Sequence, residues 1–178
     1  MSPLHQPFYC EENIWHLCQD AALAARPRLV TFVSNPSGGF VIWHQKASPR
    51  ASTPIRWDYH VILLVAEPWE IWDLDTTLGS PLPAGEYLRH SFPQAVPARV
   101  APWFRLVPAA EFVASFASDR GHMRRADGRY HRPPPPWPAI LPEGRASNLE
   151  AFIDVTEDFL GTVVALGALS SLIAAEAR

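Results

Sequence analysis

Three ionisable side chains in this sequence stand where hydrolytic chemistry is easiest to arrange. Cys10 lies in the run Tyr9-Cys10-Glu11-Glu12-Asn13, directly ahead of an amphipathic helical pattern. A helix N-terminus offers unpaired N–H groups and about half a positive charge. A thiol placed there has its pKa lowered and becomes a nucleophile. His60 and Asp73 fall in apolar, strand-like runs, Tyr59-His60-Val61-Ile62-Leu63-Leu64 and Ile71-Trp72-Asp73-Leu74-Asp75. Cysteine, histidine and aspartate are the working parts of a thiol hydrolase.

The elements that must position these groups follow from pattern. Cys10 to Ala25 reads as a helix with Ile14, Leu17, Cys18 and Ala21 on its core face, ended by Pro27. Leu29 to Ser34 and Phe40 to Trp43 read as strands around the turn Asn35-Pro36-Ser37-Gly38-Gly39, followed by a loop from Lys46 to Arg56. Tyr59 to Ala66 and Glu70 to Leu74 form a hairpin, and a turn centred on Ala66-Glu67 sets His60 opposite Asp73. Directly opposed residues have Cβ atoms about 4.5–5.5 Å apart, within reach of an imidazole–carboxylate hydrogen bond. Both strands are apolar on both faces, as in a sheet covered on two sides. Helices are expected over 83–92, 108–116, 148–153 and 168–175, and strands over 104–107 and 161–166. A long loop spans 119–138 and ends in the polyproline run Pro133 to Pro136 with Trp137, read as a strap over the domain.

Composition bounds the alternatives. With 178 residues, 48% hydrophobic and 11% aromatic, the chain suits one folded catalytic domain over 1–178. A net charge of −3 leaves no nucleic-acid footprint. The uncharged stretch 159–175 is too short and too glycine-diluted for a membrane span. The N-terminus lacks a basic start and an apolar run, so a cytoplasmic location is expected. Eight residues along one helix separate Cys10 from Cys18 by roughly 12 Å. A disulfide needs roughly 7 Å or less, so both thiols are expected free, and Cys18 is expected to be a buried apolar residue. His16, Cys18, His122 and His131 lack zinc-ligand spacing, and no metal or cofactor is expected.

Burying the charge of Asp73 without a partner costs several kcal/mol, and His60 is the available donor. Glu11 and Glu12 suit the helix dipole but oppose thiolate formation if they point at the sulfur. These residues fall in motifs spread along the chain: Tyr9 to Asn13, Trp57-Asp58-Tyr59-His60-Val61, Asp73-Leu74-Asp75-Thr76, Phe116-Ala117-Ser118-Asp119-Arg120 with His122-Met123, Pro133 to Pro136, and Asn148-Leu149 with Phe152-Ile153. In this order the set resembles the protein N-terminal glutamine amidohydrolase family; the resemblance lapses between Thr77 and Pro102. It implies an α-β-α sandwich with a mostly antiparallel sheet and a papain- or transglutaminase-like core, and catalytic roles for Cys10, His60 and Asp73. It implies deamidation of an N-terminal glutamine through a cysteine thioester, by a monomer acting on peptide or protein N-termini with no nucleic-acid or membrane partner. Recognition of the substrate amine calls for an acid beside the catalytic motifs; Glu12 and Asp75 are the candidates, with Glu11, Asp58 and Asp119 also near. A transglutaminase-like acyl transferase and a non-enzymatic module using the proline strap are the alternative readings.

Overall fold

A computed structural model describes residues 3–50, 53–93 and 95–176. Its centre is a six-stranded, fully antiparallel sheet in the order β6-β5-β4-β1-β7-β8. The strands are β1 (Arg28–Ser34), β4 (His60–Val65), β5 (Glu70–Trp72), β6 (Leu82–Pro83), β7 (Trp103–Pro108) and β8 (Thr162–Ala165). A separate ribbon pairs β2 (Phe40–Ile42) with β3 (Ile55–Trp57). The helices are α1 (Cys10–Leu17), α2 (Ala84–Ser91), α3 (Ala109–Ser115), α4 (Leu149–Ile153) and α5 (Leu166–Glu176).

Strand alternation divides the core into two layers. Val30, Phe32, Val61, Leu63, Val65 and Val107 face α1, α3 and α4. Val33, Ile62, Leu64, Phe104 and Leu106 face α2, α5 and the β2–β3 ribbon. The sheet is therefore the middle of an α-β-α sandwich, and β1 and β4 are buried over most of their length because both faces are covered.

Three local expectations need correction. The first helix stops at Leu17 instead of reaching Ala25. The Arg28 guanidinium takes the Cys18 carbonyl at 2.9 Å, and Asp20 caps a new 3-10 turn by accepting from the Ala22 N–H at 2.9 Å. Phe40 to Ile42 joins β3 and not the strand before it, so the loop expected up to Arg56 ends in a strand. The β4–β5 hairpin pairs Leu63 with Trp72 and Val65 with Glu70, which centres its turn on Glu67-Pro68. That register differs by two residues from the expected one. An even slip preserves the faces, so His60 and Asp73 remain on one side as diagonal neighbours.

Two features lock the far edge of the sheet. Arg105, 1% exposed, donates to the carbonyls of Phe152, Asp154, Glu157 and Leu160 and so ties the segment before β8 to β7. Gly161 enters β8 with φ +86°, and a Cβ there would collide with the Leu106 carbonyl oxygen. The apolar stretch 159–175 is this strand followed by an 11-residue helix, and no described helix is long and apolar enough to cross a membrane. Gly161→Ala should lower stability by about 2 kcal/mol or more, through backbone strain plus the clash. Thermal unfolding, read against wild type, checks this.

Candidate active site

Cys10 is the first residue of α1, with Tyr9 in the non-helical capping position. His60 is the first residue of β4, on the parity of Ile62 and Leu64, which face the α2 layer. Helix α1 lies on the other face. Both side chains line a cleft of about 710 Å³ at the end of the sheet. The Val61 N–H, one residue after His60, is directed at the Cys10 sulfur. Trp57 stacks beside the His60 ring, with centroids 6.3 Å apart.

Asp73 follows the last residue of β5 and is 1% exposed. Its Oδ1 accepts from His60 Nε2 at 2.9 Å and from the Asp75 N–H at 2.9 Å. Its Oδ2 accepts from Gln45 Nε2 at 2.9 Å and from the Tyr87 hydroxyl at 2.8 Å. A carboxylate has about four acceptor sites, and all are filled. Burial raises the Asp73 pKa, but His60 and the other donors outweigh it and bring it down to about 2. Burial likewise disfavours the His60 cation, and the Asp73 charge overrides this and raises its pKa. Nε2 is committed to Asp73, which leaves Nδ1 as the other ring nitrogen.

The thiol departs from the sequence expectation. Its pKa is pushed up, not down: burial is the largest cause, and the charges of Glu11 and Asp75 add to it against the Val61 N–H. Glu11 Oε2 lies 3.6 Å from the sulfur and also accepts from the Tyr59 hydroxyl at 3.1 Å. Glu11 is wholly buried, its Oε1 has no hydrogen-bond partner, and its pKa rises to about 7, chiefly through burial. Glu12 has a different fate. Its carboxylate takes Nε and an Nη of Arg120 at 2.7 Å each and Trp137 Nε1 at 2.7 Å. Glu12 is absent from the cleft wall, and its buried pairing leaves it no room to bind a substrate amine. Asp75 does line the cleft, and its Oδ1 accepts from His5 Nε2 at 2.9 Å. Asp58, Glu150 and His122 share the wall, and Asp119 does not.

The remaining sequence candidates sort plainly. Cys18 is a free thiol, 5% exposed among apolar side chains, and burial raises its pKa to about 12. The proline strap is pinned by Trp137, which meets His16 edge-on at 5.0 Å besides bonding Glu12. Among the described residues, the one set of ligating atoms close enough to share an ion is that of His60, Asp73 and Asp75, within 4.8 Å. Every acceptor site on Asp73 already holds a donor, so this is a hydrogen-bonded network and not an open ligand set.

A family model for N-terminal glutamine amidase matches residues 5–173. The chain belongs to the N-terminal glutamine amidase family. Among curated relatives, the protein N-terminal glutamine amidohydrolase of Arabidopsis thaliana is 38% identical over 164 residues, covering 84% of this chain and 74% of that protein. Its namesake in Danio rerio is 38% identical over 154 residues, with 82% and 76% covered. The Drosophila melanogaster protein of the same name is 36% identical over 154 residues, with 82% and 75% covered. The matched stretch carries every cleft residue named above, and also Gln45 and Tyr87, which the sequence reading missed. Tyr87 sits in the segment where the family resemblance lapsed, and Gln45 lies in the loop between β2 and β3 with no periodicity to mark it.

Glu11 makes a pH-dependent contribution to stability. Its pKa is higher in the folded chain than the unfolded value of 4.5, so the folded state holds this proton longer. The protonated form's advantage is complete below pH 4.5 and is lost as pH rises toward about 7. Glu11→Gln, which cannot ionise, should therefore be more stable than wild type by about 2–3 kcal/mol at pH 8 and near wild type at pH 4.5. Denaturant melts at the two pH values check the difference.

Proposed function

We propose that the protein deamidates the side chain of an N-terminal glutamine to glutamate, releasing ammonia, with Cys10 as nucleophile. The observation that carries this reading is the cleft in which Cys10 heads a helix beside a His60 anchored on a saturated Asp73, in a chain of this family. The Cys10 thiol passes its proton to His60 Nδ1, and the sulfur attacks the carboxamide carbon. A C–S bond forms and the carbonyl electrons move to oxygen. The Cys10 N–H, at the first helical position, is a donor for that oxyanion because such N–H groups have no partner within the helix. His60 then gives its proton to the departing nitrogen, the C–N bond breaks, and ammonia leaves. Water, deprotonated by His60, attacks the thioester, the C–S bond breaks, and the thiol is restored with glutamate as product. Asp73 holds the imidazole in one tautomer and stabilises its cation.

The substrate amine lies four bonds from the carboxamide carbon, about 5 Å when extended. Asp75 is the carboxylate suited to it, being on the cleft wall and close to His60. On this reading the chain acts as one catalytic domain, as a monomer, without metal or cofactor. Two free cysteines fit a reducing compartment such as the cytoplasm.

Cys10→Ser should abolish the roughly one-dalton mass gain of a Gln-first peptide, and Cys18→Ser should retain it. Asp73→Asn should lower kcat by about 10³-fold or more and also destabilise the fold, because its amide would face the donors of Gln45 and Tyr87. Mass spectrometry with an ammonia assay reads the activities, and retained turnover in Cys10→Ser would sink the assignment. Acetylating the peptide's amine should cost roughly thirtyfold in kcat/KM, and Asp75→Asn should shrink that preference about tenfold. Equal rates on free and acetylated peptides would show that the amine is not read.

A further inference from the structure

Two acidic residues follow the nucleophile, and only one of them is neutralised. Glu12 is covered by the Arg120 guanidinium. Glu11 is wholly buried 3.6 Å from the Cys10 sulfur and has no such cation. Its Oε2 accepts from the thiol and from Tyr59, both neutral donors, and its Oε1 is without a partner. His122, which can carry positive charge, has Nε2 3.6 Å from Oε1 and 3.2 Å from the Tyr59 hydroxyl. Burial lowers the His122 pKa and so disfavours its cation.

The other charges around the sulfur do not offset Glu11. From the β5 side, Asp73 is hydrogen-bonded to His60, and the charges of Asp75 and Asp73 both disfavour a charged sulfur. From the segment before β4, Asp58 adds another acid to the wall, and Glu150 from α4 lies on the same wall. Lys46 and Arg132 are cleft residues too, but the lysine ammonium is bonded to the Leu74 carbonyl and the Arg132 guanidinium lies 4.2 Å over the Phe8 ring. A negatively charged sulfur beside Glu11 is therefore opposed in the empty cleft. A substrate that places its own ammonium about 5 Å from the reacting carbon brings the missing positive charge.

We propose that Glu11 is a specificity-determining residue that keeps Cys10 a neutral thiol until the cationic amine of the substrate enters the cleft. The α-ammonium is then required for the chemical step as well as for binding. Internal glutamines and acetylated N-termini lack the charge and meet an unreactive sulfur. Asp75 orients the amine, and Glu11 couples its arrival to the nucleophile. This rests on the reading of the cleft as a glutamine amidase site, but its first test does not.

The test is alkylation of the substrate-free protein by iodoacetamide at pH 8, above the Glu11 pKa of about 7, where Glu11 is largely ionised. The thiolate sulfur displaces iodide, forming a C–S bond and breaking the C–I bond, and peptide mass spectrometry follows Cys10 with Cys18 as internal reference. Glu11→Gln should raise the Cys10 rate about tenfold, since the thiolate is the reactive form. Tyr59→Phe, which removes a donor from the Glu11 carboxylate and so favours its neutral form, should raise it by about threefold. The second reading is the kcat of free and acetylated Gln-first peptides. Wild type should discriminate mainly in kcat, and Glu11→Gln should narrow the gap by about tenfold. Unchanged alkylation in both variants would overturn the proposal. So would discrimination that lies wholly in KM. Should Glu11→Gln fail to fold, the Tyr59→Phe rate decides. If wild type leaves the free Gln-first peptide untouched, the amidase reading fails, while the alkylation rates still report whether Glu11 restrains the sulfur.

Discussion

A full negative charge without water at Asp73 is the constraint on which the rest of this site depends. An isolated buried carboxylate is prohibitively costly, and loss of one partner of a buried pair costs about 3–5 kcal/mol. The fold meets that cost with four donors from four places: His60 on β4, Gln45 in the loop before β3, Tyr87 on α2, and the backbone after β5. Each donor is thereby fixed in turn. The His60 ring has one tautomer and one orientation because its Nε2 has no other role, and the segment before β3 is held against the sheet where it walls the cleft. The α2 layer is tied into this network through the Tyr87 hydroxyl.

Helix α1 carries the opposite problem. Its first turn presents Cys10, Glu11 and Glu12 in succession, and all three are buried. Helical geometry turns successive side chains by about 100°, so neighbours in sequence face different surroundings. Glu12 turns toward the strap and meets Arg120 and Trp137. That pairing clamps the long loop onto the helix and so sets one rim of the cleft. Glu11 turns toward the sulfur, where it finds only neutral donors. The thiol pKa is raised, by burial first and then by the charges of Glu11 and Asp75, against the Val61 N–H. Helix geometry alone favours ionisation of a thiol at this position, and its buried surroundings oppose it.

The sheet supplies rigidity where the loops cannot. β1 and β4 are covered on both faces, and their ends carry Ser34 and His60 toward the cleft side. At the far edge, Arg105 ties four carbonyls of an irregular segment, so β8 and α5 close the second layer without a long regular connection. Much of the fold's irregular backbone is satisfied by buried or half-buried guanidinium groups in this way. Arg26, Arg28 and Arg120 make the same kind of bonds to carbonyl oxygens. A planar cation with five donors suits this, and a lysine would not.

Local pattern determined a good deal here. Apolar and β-branched runs marked β1, β4 and β7 as strands, Pro108 and Pro83 marked the starts of α3 and α2, and a cysteine before an amphipathic run marked the head of α1. The need of Asp73 for a donor was legible as well, because a charge within an apolar run has no other explanation. The hairpin register was not. Turn length depends on the backbone of Ala66 to Trp69, and the two-residue slip brought His60 to Asp73 as a diagonal pair and not an opposed one. Gln45 and Tyr87 were invisible because they approach Asp73 from segments 28 and 14 residues away. The separate fates of Glu11 and Glu12 were decided by partners more than 40 and 100 residues distant. Sequence pattern reports what each residue prefers over a few turns of chain. Charge state in a buried site is set by the sum of fields from everything packed around it, and only the tertiary structure assembles that sum.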